Sequence, residues 1–299
     1  MSLPILPPYL QPGDLLRVIA PSGALREIEA FHQGVEIWKA RGYRVEIPAN
    51  IDDKHGYLAG TDIHRRQQLA TAWEDPECRG ILCARGGFGC TRILENWTWP
   101  ENIMPPKWLI GFSDITALLW SLYNADIVSV HGPVLTTLAN EPEWSIQRLL
   151  DIVEGRPLVP LKGCGWGGGT STGILLPGNL TVATHLLATP ILPDLEGVIL
   201  ALEDVTEAPY RVDRMLTQWR LSGILSKLRG IALGGFTKCE APPNVPSFSI
   251  EEVLRDCLGD LGIPIVSNLP FGHDHPNTAL PVGMMVTLDA EQGILNFYP

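Results

Sequence analysis

Positive charge is scarce in this chain. Lysine and arginine number 22 against 33 aspartates and glutamates in 299 residues, giving a net charge of −11 and a pI near 5.1. That balance leaves no general electrostatic footprint for nucleic acid or an anionic membrane, so small molecules or peptides are the expected partners. The six cysteines (Cys78, Cys83, Cys90, Cys164, Cys239 and Cys257) include no C-x-x-C pair and sit in apolar surroundings. Neither a disulfide frame nor a zinc site is expected, and they read as reduced, packed thiols. The opening residues, Met1-Ser2-Leu3-Pro4-Ile5-Leu6-Pro7-Pro8, have no basic stretch and are broken by prolines. They predict neither a signal peptide nor a membrane anchor, and hence a cytoplasmic protein. Internal repeats and long low-complexity tracts are absent too.

What is present is a globular composition: 45% of residues are apolar and the mean hydropathy is +0.11, enough for two domains with separate cores. In the first half short apolar runs alternate with helical patterns. Strands are expected at 14–20, 43–47, 80–84 and 107–111, and helices at 27–41, 61–74 and 114–123. This alternation predicts right-handed βαβ units on a parallel sheet, with ligands gathering beyond the carboxyl ends of the strands, where Ser22, Arg85 to Gly89 and Ser113 fall. After a helix at 143–154 the stretch Lys162-Gly163-Cys164-Gly165-Trp166-Gly167-Gly168-Gly169-Thr170-Ser171 is too glycine-rich for the interior of an element. It is expected to be the crossing between domains, which places boundaries at 1–155, 156–171 and 172–299. The second domain reads as mixed with a mostly β core: strands at 171–176, 197–202, 230–234 and 263–266, helices at 179–188 and 210–221, and a hairpin at 285–289 with 293–297.

Several residues have the chemistry of a hydrolytic site. Ser113 stands at the junction of the apolar run Trp108-Leu109-Ile110-Gly111 and an amphipathic helix, which suits a nucleophile and equally suits an N-cap. Arg85-Gly86-Gly87-Phe88-Gly89 follows a strand, and its glycines let backbone N–H groups approach an anion; the same glycines also suit an ordinary turn. It lacks the ending of a P-loop, and Arg92 stands where a dinucleotide fingerprint would have its third glycine. Glu203 emerges from the apolar strand 197–202 and can orient an imidazole, whereas Glu207 suits a salt bridge or cap. His273-Asp274-His275 could bind metal, but no matching cluster accompanies it, so no metal and no cofactor are expected, and a loop histidine acting as base is the stronger use. Ser113, Glu203 and His273 together supply nucleophile, orienting acid and base in that chain order.

Taken with Ala84-Arg85-Gly86-Gly87-Phe88-Gly89, Gly111-Phe112-Ser113-Asp114, His131-Gly132-Pro133, Pro177-Gly178-Asn179-Leu180, Leu202-Glu203-Asp204, Pro209 to Leu216, Gly272-His273 and Leu280-Pro281-Val282-Gly283, the chain closely resembles the LD-carboxypeptidase family. This is the muramoyltetrapeptide carboxypeptidase group of serine peptidases, which also contains the microcin C self-immunity proteins. The resemblance runs from about Gly13 to Leu288. It implies an α/β fold in which a flavodoxin-like parallel-sheet N-terminal domain joins a smaller β-rich, barrel-like C-terminal domain, with the active site in the groove between them. It further implies Ser113 as nucleophile, Glu203 as triad acid, His273 as base, the backbone N–H groups of Gly87 and Asp114 as oxyanion hole, and a homodimer. Arg85 and Gly86 are candidate substrate contacts, Arg85 by charge alone. Two positions depart from the family: Phe88 where Tyr is frequent, and Pro177 where Gly is frequent.

The implied reaction releases terminal D-alanine from a murein tetrapeptide or related muropeptide. Three alternatives stand beside it. The same triad could cut a carboxamide or aminoacyl-nucleotide bond in a toxic conjugate, the groove could bind murein peptides or nucleotides without catalysis, or the chain could be an α/β-hydrolase esterase. The last lacks support, because Gly111-Phe112-Ser113-Asp114-Ile115 has no second elbow glycine.

Overall fold

The computed structural model describes residues 3–95, 97–100, 105–166 and 168–298. Of the segments discussed above, Met1, Ser2, Gly167 and Pro299 lie outside the described residues. The chain separates into two compact units: Met1–Pro157 with Thr278–Gly283, and Leu158–Asn277 with Met284–Pro299. The return of 278–283 to the first unit differs from the expected boundaries.

In the first unit β1 (Leu15–Ile19), β2 (Arg44–Glu46), β3 (Cys78–Cys83), β4 (Trp108–Gly111) and β5 (Ser129–His131) pair in parallel. A sixth strand, Leu280–Val282 (β12 in chain order), lies antiparallel on β5, so the order is β12-β5-β4-β3-β1-β2. β4 and β5 are buried at every residue, and β1 and β3 at all but one, because helices cover the sheet; such strands read as continuous apolar runs without alternation. The helices are α1 (Ile28–Ala40), α2 (Asp62–Glu74), α3 (Cys90–Leu94), α4 (Thr116–Asn124), α5 (Leu135–Leu138) and α6 (Glu143–Glu154). α1 buries Phe31, Val35 and Trp38, one side of a 3.6-residue repeat. The chain leaves β1 toward β2 and then returns to β3 on the other side. The direction of winding therefore reverses between β1 and β3, which is where open parallel sheets place their ligands.

The second unit is built on one eight-stranded sheet. Its strands are β6 (Leu161–Lys162), β7 (Cys164–Gly165), β8 (Thr170–Asn179), β9 (Val198–Val205), β10 (Gly230–Thr237), β11 (Ile265–Ser267), β13 (Met285–Asp289) and β14 (Ile294–Phe297), in the order β6-β14-β13-β8-β9-β10-β11-β7. β8 to β11 are mutually parallel and alternate with α7 (Leu180–His185), α8 (Pro209–Leu221) and α9 (Ile250–Leu258), so the core is more α/β than the sequence suggests. β13 and β14 form the expected hairpin.

The two edge strands, β6 and β7, are separated in the chain by Gly163 alone. Leu161 pairs with Leu295 on one side, and Cys164 pairs with Ser267 on the other. A sheet whose two edges are neighbouring residues of one segment has to curl until those edges meet, which closes it as a barrel. The glycine-rich stretch is thus a structural seam rather than a free linker. Among the described residues no helix is long and apolar enough to cross a membrane.

Candidate active site

Ser113 follows the buried β4 and opens a 3-10 turn, Ser113–Ile115, that runs into α4. Its φ is 64°, in the left-handed region, which costs a residue with a Cβ about 1–3 kcal/mol and persists where the surroundings enforce it. A strained serine at a strand-to-helix turn is the backbone form in which a nucleophile is held up from a sheet. The turn needs small neighbours. Gly86 supplies that space, because a Cβ built there would stand 3.1 Å from Ser113 Cβ and 3.3 Å from Ser113 Oγ. The structure therefore places the glycine loop against the serine hydroxyl. Gly87 has φ 119° and Gly89 φ 137°, so this loop turns through conformations open mainly to glycine.

Asp114 is buried, and its Oδ2 accepts hydrogen bonds from Ser22 Oγ (2.5 Å) and from the backbone N–H of Cys90 (2.9 Å). The Arg85 guanidinium folds back: Nε donates to Glu27 at 3.1 Å and Nη1 to the carbonyl of Gly86 at 3.1 Å. Its charge is thus engaged within the loop region.

In the second unit Glu203 lies near the carboxyl end of β9 with no exposed surface. Its Oε2 is 2.6 Å from His273 Nδ1, and its Oε1 accepts from Asn179 Nδ2 at 3.2 Å. A carboxylate in that setting fixes one imidazole tautomer, Nδ1–H toward the acid, and leaves Nε2 as the basic nitrogen. Burial, the largest single influence, pulls the pKa of His273 down. The hydrogen bond and charge of Glu203, helped by Asp204 and Asp274, outweigh it, so the net pKa lies above the usual 6.5. Gly272, with φ 122°, makes room for the pair: a Cβ there would meet Glu203 Cβ at 3.0 Å and Oε2 at 3.2 Å. Its N–H donates to Asn277 Oδ1 at 3.0 Å, which pins the loop that carries the histidine. Glu207 pairs with Arg211 at 3.4 Å, the salt-bridge role the sequence suggests for it. His275 is exposed, and among the described residues no group of three or more His, Cys, Asp or Glu side chains is placed to hold a metal ion.

Asn179 and Asp204 stand in the motifs quoted above without an assigned role, and the structure supplies one. Asn179 caps α7 by accepting from the N–H of Val182, and also donates to Asp204 Oδ1 at 3.1 Å. Asp204 is buried, and its Oδ2 takes two more hydrogen bonds from the N–H and hydroxyl of Thr181, each 2.8 Å. An Asn directly before an apolar helical run was the available signal.

Comparison with known proteins matches residues 16–132 to the model of the LD-carboxypeptidase N-terminal domain and residues 172–288 to that of the LD-carboxypeptidase C-terminal domain. A putative carboxypeptidase of Synechocystis sp. is 56% identical over 299 residues, 99% of each chain. The crystal structure of a muramoyltetrapeptide carboxypeptidase from Oxalobacter formigenes superimposes with a TM-score of 0.85 at 29% identity, covering 95% of this chain and 99% of that one. The microcin C7 self-immunity protein MccF, in complex with glutamyl sulfamoyl guanosine, shares the fold with a TM-score of 0.88 at 21% identity, over 99% of both chains.

Proposed function

The chain belongs to the LD-carboxypeptidase family, and from that premise we propose that it is a serine carboxypeptidase releasing the terminal D-alanine of a murein tetrapeptide. The observation that carries the reading is the 2.6 Å contact of His273 Nδ1 with a fully buried Glu203. A buried carboxylate aimed at an imidazole that is still partly open to solvent is costly to maintain, and its chemical use is to hold a general base in one tautomer. The strained turn of Ser113 against Gly86 supports the nucleophile.

In the proposed reaction Ser113 Oγ attacks the carbonyl carbon of the scissile amide while His273 Nε2 takes the hydroxyl proton. The N–H groups of Gly87 and Asp114 hold the negative oxygen of the tetrahedral intermediate. The C–N bond breaks as the imidazolium returns its proton to the departing amine of D-alanine. Water, deprotonated by His273, then attacks the acyl carbon, and the bond to Ser113 Oγ breaks as the imidazolium returns the proton to that oxygen, which frees the tripeptide and restores the serine. Glu203 stabilises the imidazolium in both halves of the cycle.

The substrate is supported by the name of the Oxalobacter relative. The alternative of an immunity peptidase that cuts an aminoacyl-nucleotide conjugate is tested alongside it. Purified protein is incubated with murein tetrapeptide and, in parallel, with an aminoacyl sulfamoyl adenosine. D-alanine release from the first with the second left intact is expected. Cleavage of the conjugate alone would overturn the proposed substrate.

A further inference from the structure

The loops that follow β1, β3 and β4 come from three different strands, yet one side chain ties them together. Asp114 Oδ2 accepts from Ser22 Oγ, in the loop after β1, and from the N–H of Cys90, which opens α3 directly after the glycine loop. Ser22 Oγ also lies 3.1 Å from Cys90 Sγ, which completes a triangle around the carboxylate. On another flank the buried Arg65 donates to the carbonyls of Pro21 and Gly89, so the first two loops are clamped a second time. The remaining hydrogen-bond partner of Arg65, Asp62, is on its own helix. Asp114 is therefore the member that brings the nucleophile's turn into the same frame.

We propose that the Asp114 carboxylate is a positioning residue that sets the spacing between the two halves of the oxyanion hole. The inference rests on the roles proposed above for Ser113, Gly87 and the Asp114 N–H. One N–H donor is carried by Asp114 itself, and the other, Gly87, lies three residues before the Cys90 amide that its side chain holds. Fixing Oδ2 on Cys90 N–H therefore fixes the two donors relative to each other. α3 has Gly89 at its N-cap and no capping side chain of its own, so the Asp114 oxygen takes that place from a neighbouring loop. A neutral, apolar contact could fill the same space. What a carboxylate adds is short, directional hydrogen bonds. Such precision matters where donors have to sit within about 2.7–3.1 Å of an oxygen that exists only in the transition state.

The test compares Asp114→Ala, Asp114→Asn and Ser22→Ala with the parent, using D-alanine release from murein tetrapeptide and Ser113→Ala as the blank. Binding of a tetrahedral phosphonate analogue of the scissile bond is measured beside binding of the product tripeptide. Asp114→Ala is expected to lower kcat by about 10²-fold with KM changed by less than about threefold, the size of effect seen when an oxyanion donor is misplaced. Affinity for the phosphonate should fall in the same proportion, and affinity for the tripeptide should hold. Asp114→Asn keeps an oxygen acceptor and should recover about tenfold of the loss, while Ser22→Ala, which removes one tether of two, should cost roughly three- to tenfold. If Asp114→Ala does not fold, the other two variants decide the matter by the same proportionality between kcat and phosphonate affinity. A kcat within about twofold of the parent in every folded variant would overturn the proposal, as would equal losses for phosphonate and tripeptide. A Ser113→Ala protein that still turns over would remove the nucleophile assignment and this proposal with it, and that result appears in a separate arm.

Discussion

Replacing Gly86 with alanine is expected to lower kcat about ten- to a hundredfold in a protein that still folds. The added Cβ would stand 3.1 Å from Ser113 Cβ, 3.3 Å from Ser113 Oγ and 3.6 Å from the carbonyl oxygen of Phe112. Carbon atoms rest about 3.5–4.0 Å apart, so the overlap with Ser113 Cβ is roughly half an ångström. Gly86 is not among the glycines with positive φ, so alanine meets no backbone strain there, and the overlap has to be relieved by moving the serine away from the loop. A misplacement of about 1 Å costs some 10²-fold, so half that distance is worth about tenfold, and the accompanying shift of the oxyanion donors adds to it. The stability cost of one extra methyl group in a packed site is about 1–3 kcal/mol. Steady-state D-alanine release gives kcat and KM, and a thermal melt on the same sample separates catalysis from folding. Gly223 is the comparison: its φ is 74° and a Cβ there meets nothing within 4 Å, so alanine strains the backbone before the 3-10 turn Ile224–Lys227, outside every loop assigned a role above, and should leave kcat unchanged. If Gly86→Ala keeps kcat within about twofold of the parent, the glycine loop does not constrain the nucleophile and the reasoning fails.

Ser113→Ala and His273→Ala should each remove turnover by about 10³-fold or more, and the double variant should be little worse, because triad members act as a unit; independent, multiplying losses would refute a shared role. In Glu203→Gln the largest raising influence on His273 is gone and only the weaker ones of Asp204 and Asp274 remain, so the imidazole pKa falls and the acid limb of the kcat/KM profile, where the base must be neutral, moves to lower pH while the maximum drops. A limb that stays in place would show that Glu203 does not govern the base, and Glu207→Gln should cost less activity than Glu203→Gln. Activity should survive a chelator without added metal; loss that zinc restores would refute the serine mechanism.

Long, strongly patterned elements were legible in the sequence. The helix expected at 143–154 is observed as Glu143–Glu154, and the hairpin near 285–297 forms as expected. Ser113, Glu203 and His273 stand out because each lies where an apolar strand ends or a glycine turn begins, and the structure joins Glu203 to His273 directly. What escaped was short or held by distant contacts. β5 and β12 have three residues each, and β6 and β7 two, so local pattern is too brief to signal them and their partners lie far off in the chain. α9 is hidden in the sequence although Ser249 and Glu252 form a capping box at its start, because the prolines at 242–246 mask the onset of the pattern. The Ser22, Cys90 and Asp114 cluster was illegible for another reason: its members are joined only through the sheet's topology.

The strand β12 sets a timetable for the growing chain. β5 is finished at His131, but its outer neighbour arrives only with Leu280–Val282. At about 5–20 residues per second that gap lasts roughly 7–30 s, during which the first unit can pack its five parallel strands yet offers one unpaired edge to any other chain nearby. The strand that ends the wait carries Pro281 opposite Val130. Proline has no N–H to donate, so it is tolerated at a sheet edge and gives a further strand little to hold. The late arrival thus covers β5 and also blunts the border it creates, and a chain stopped after residue 157 would keep the sticky edge for its whole life.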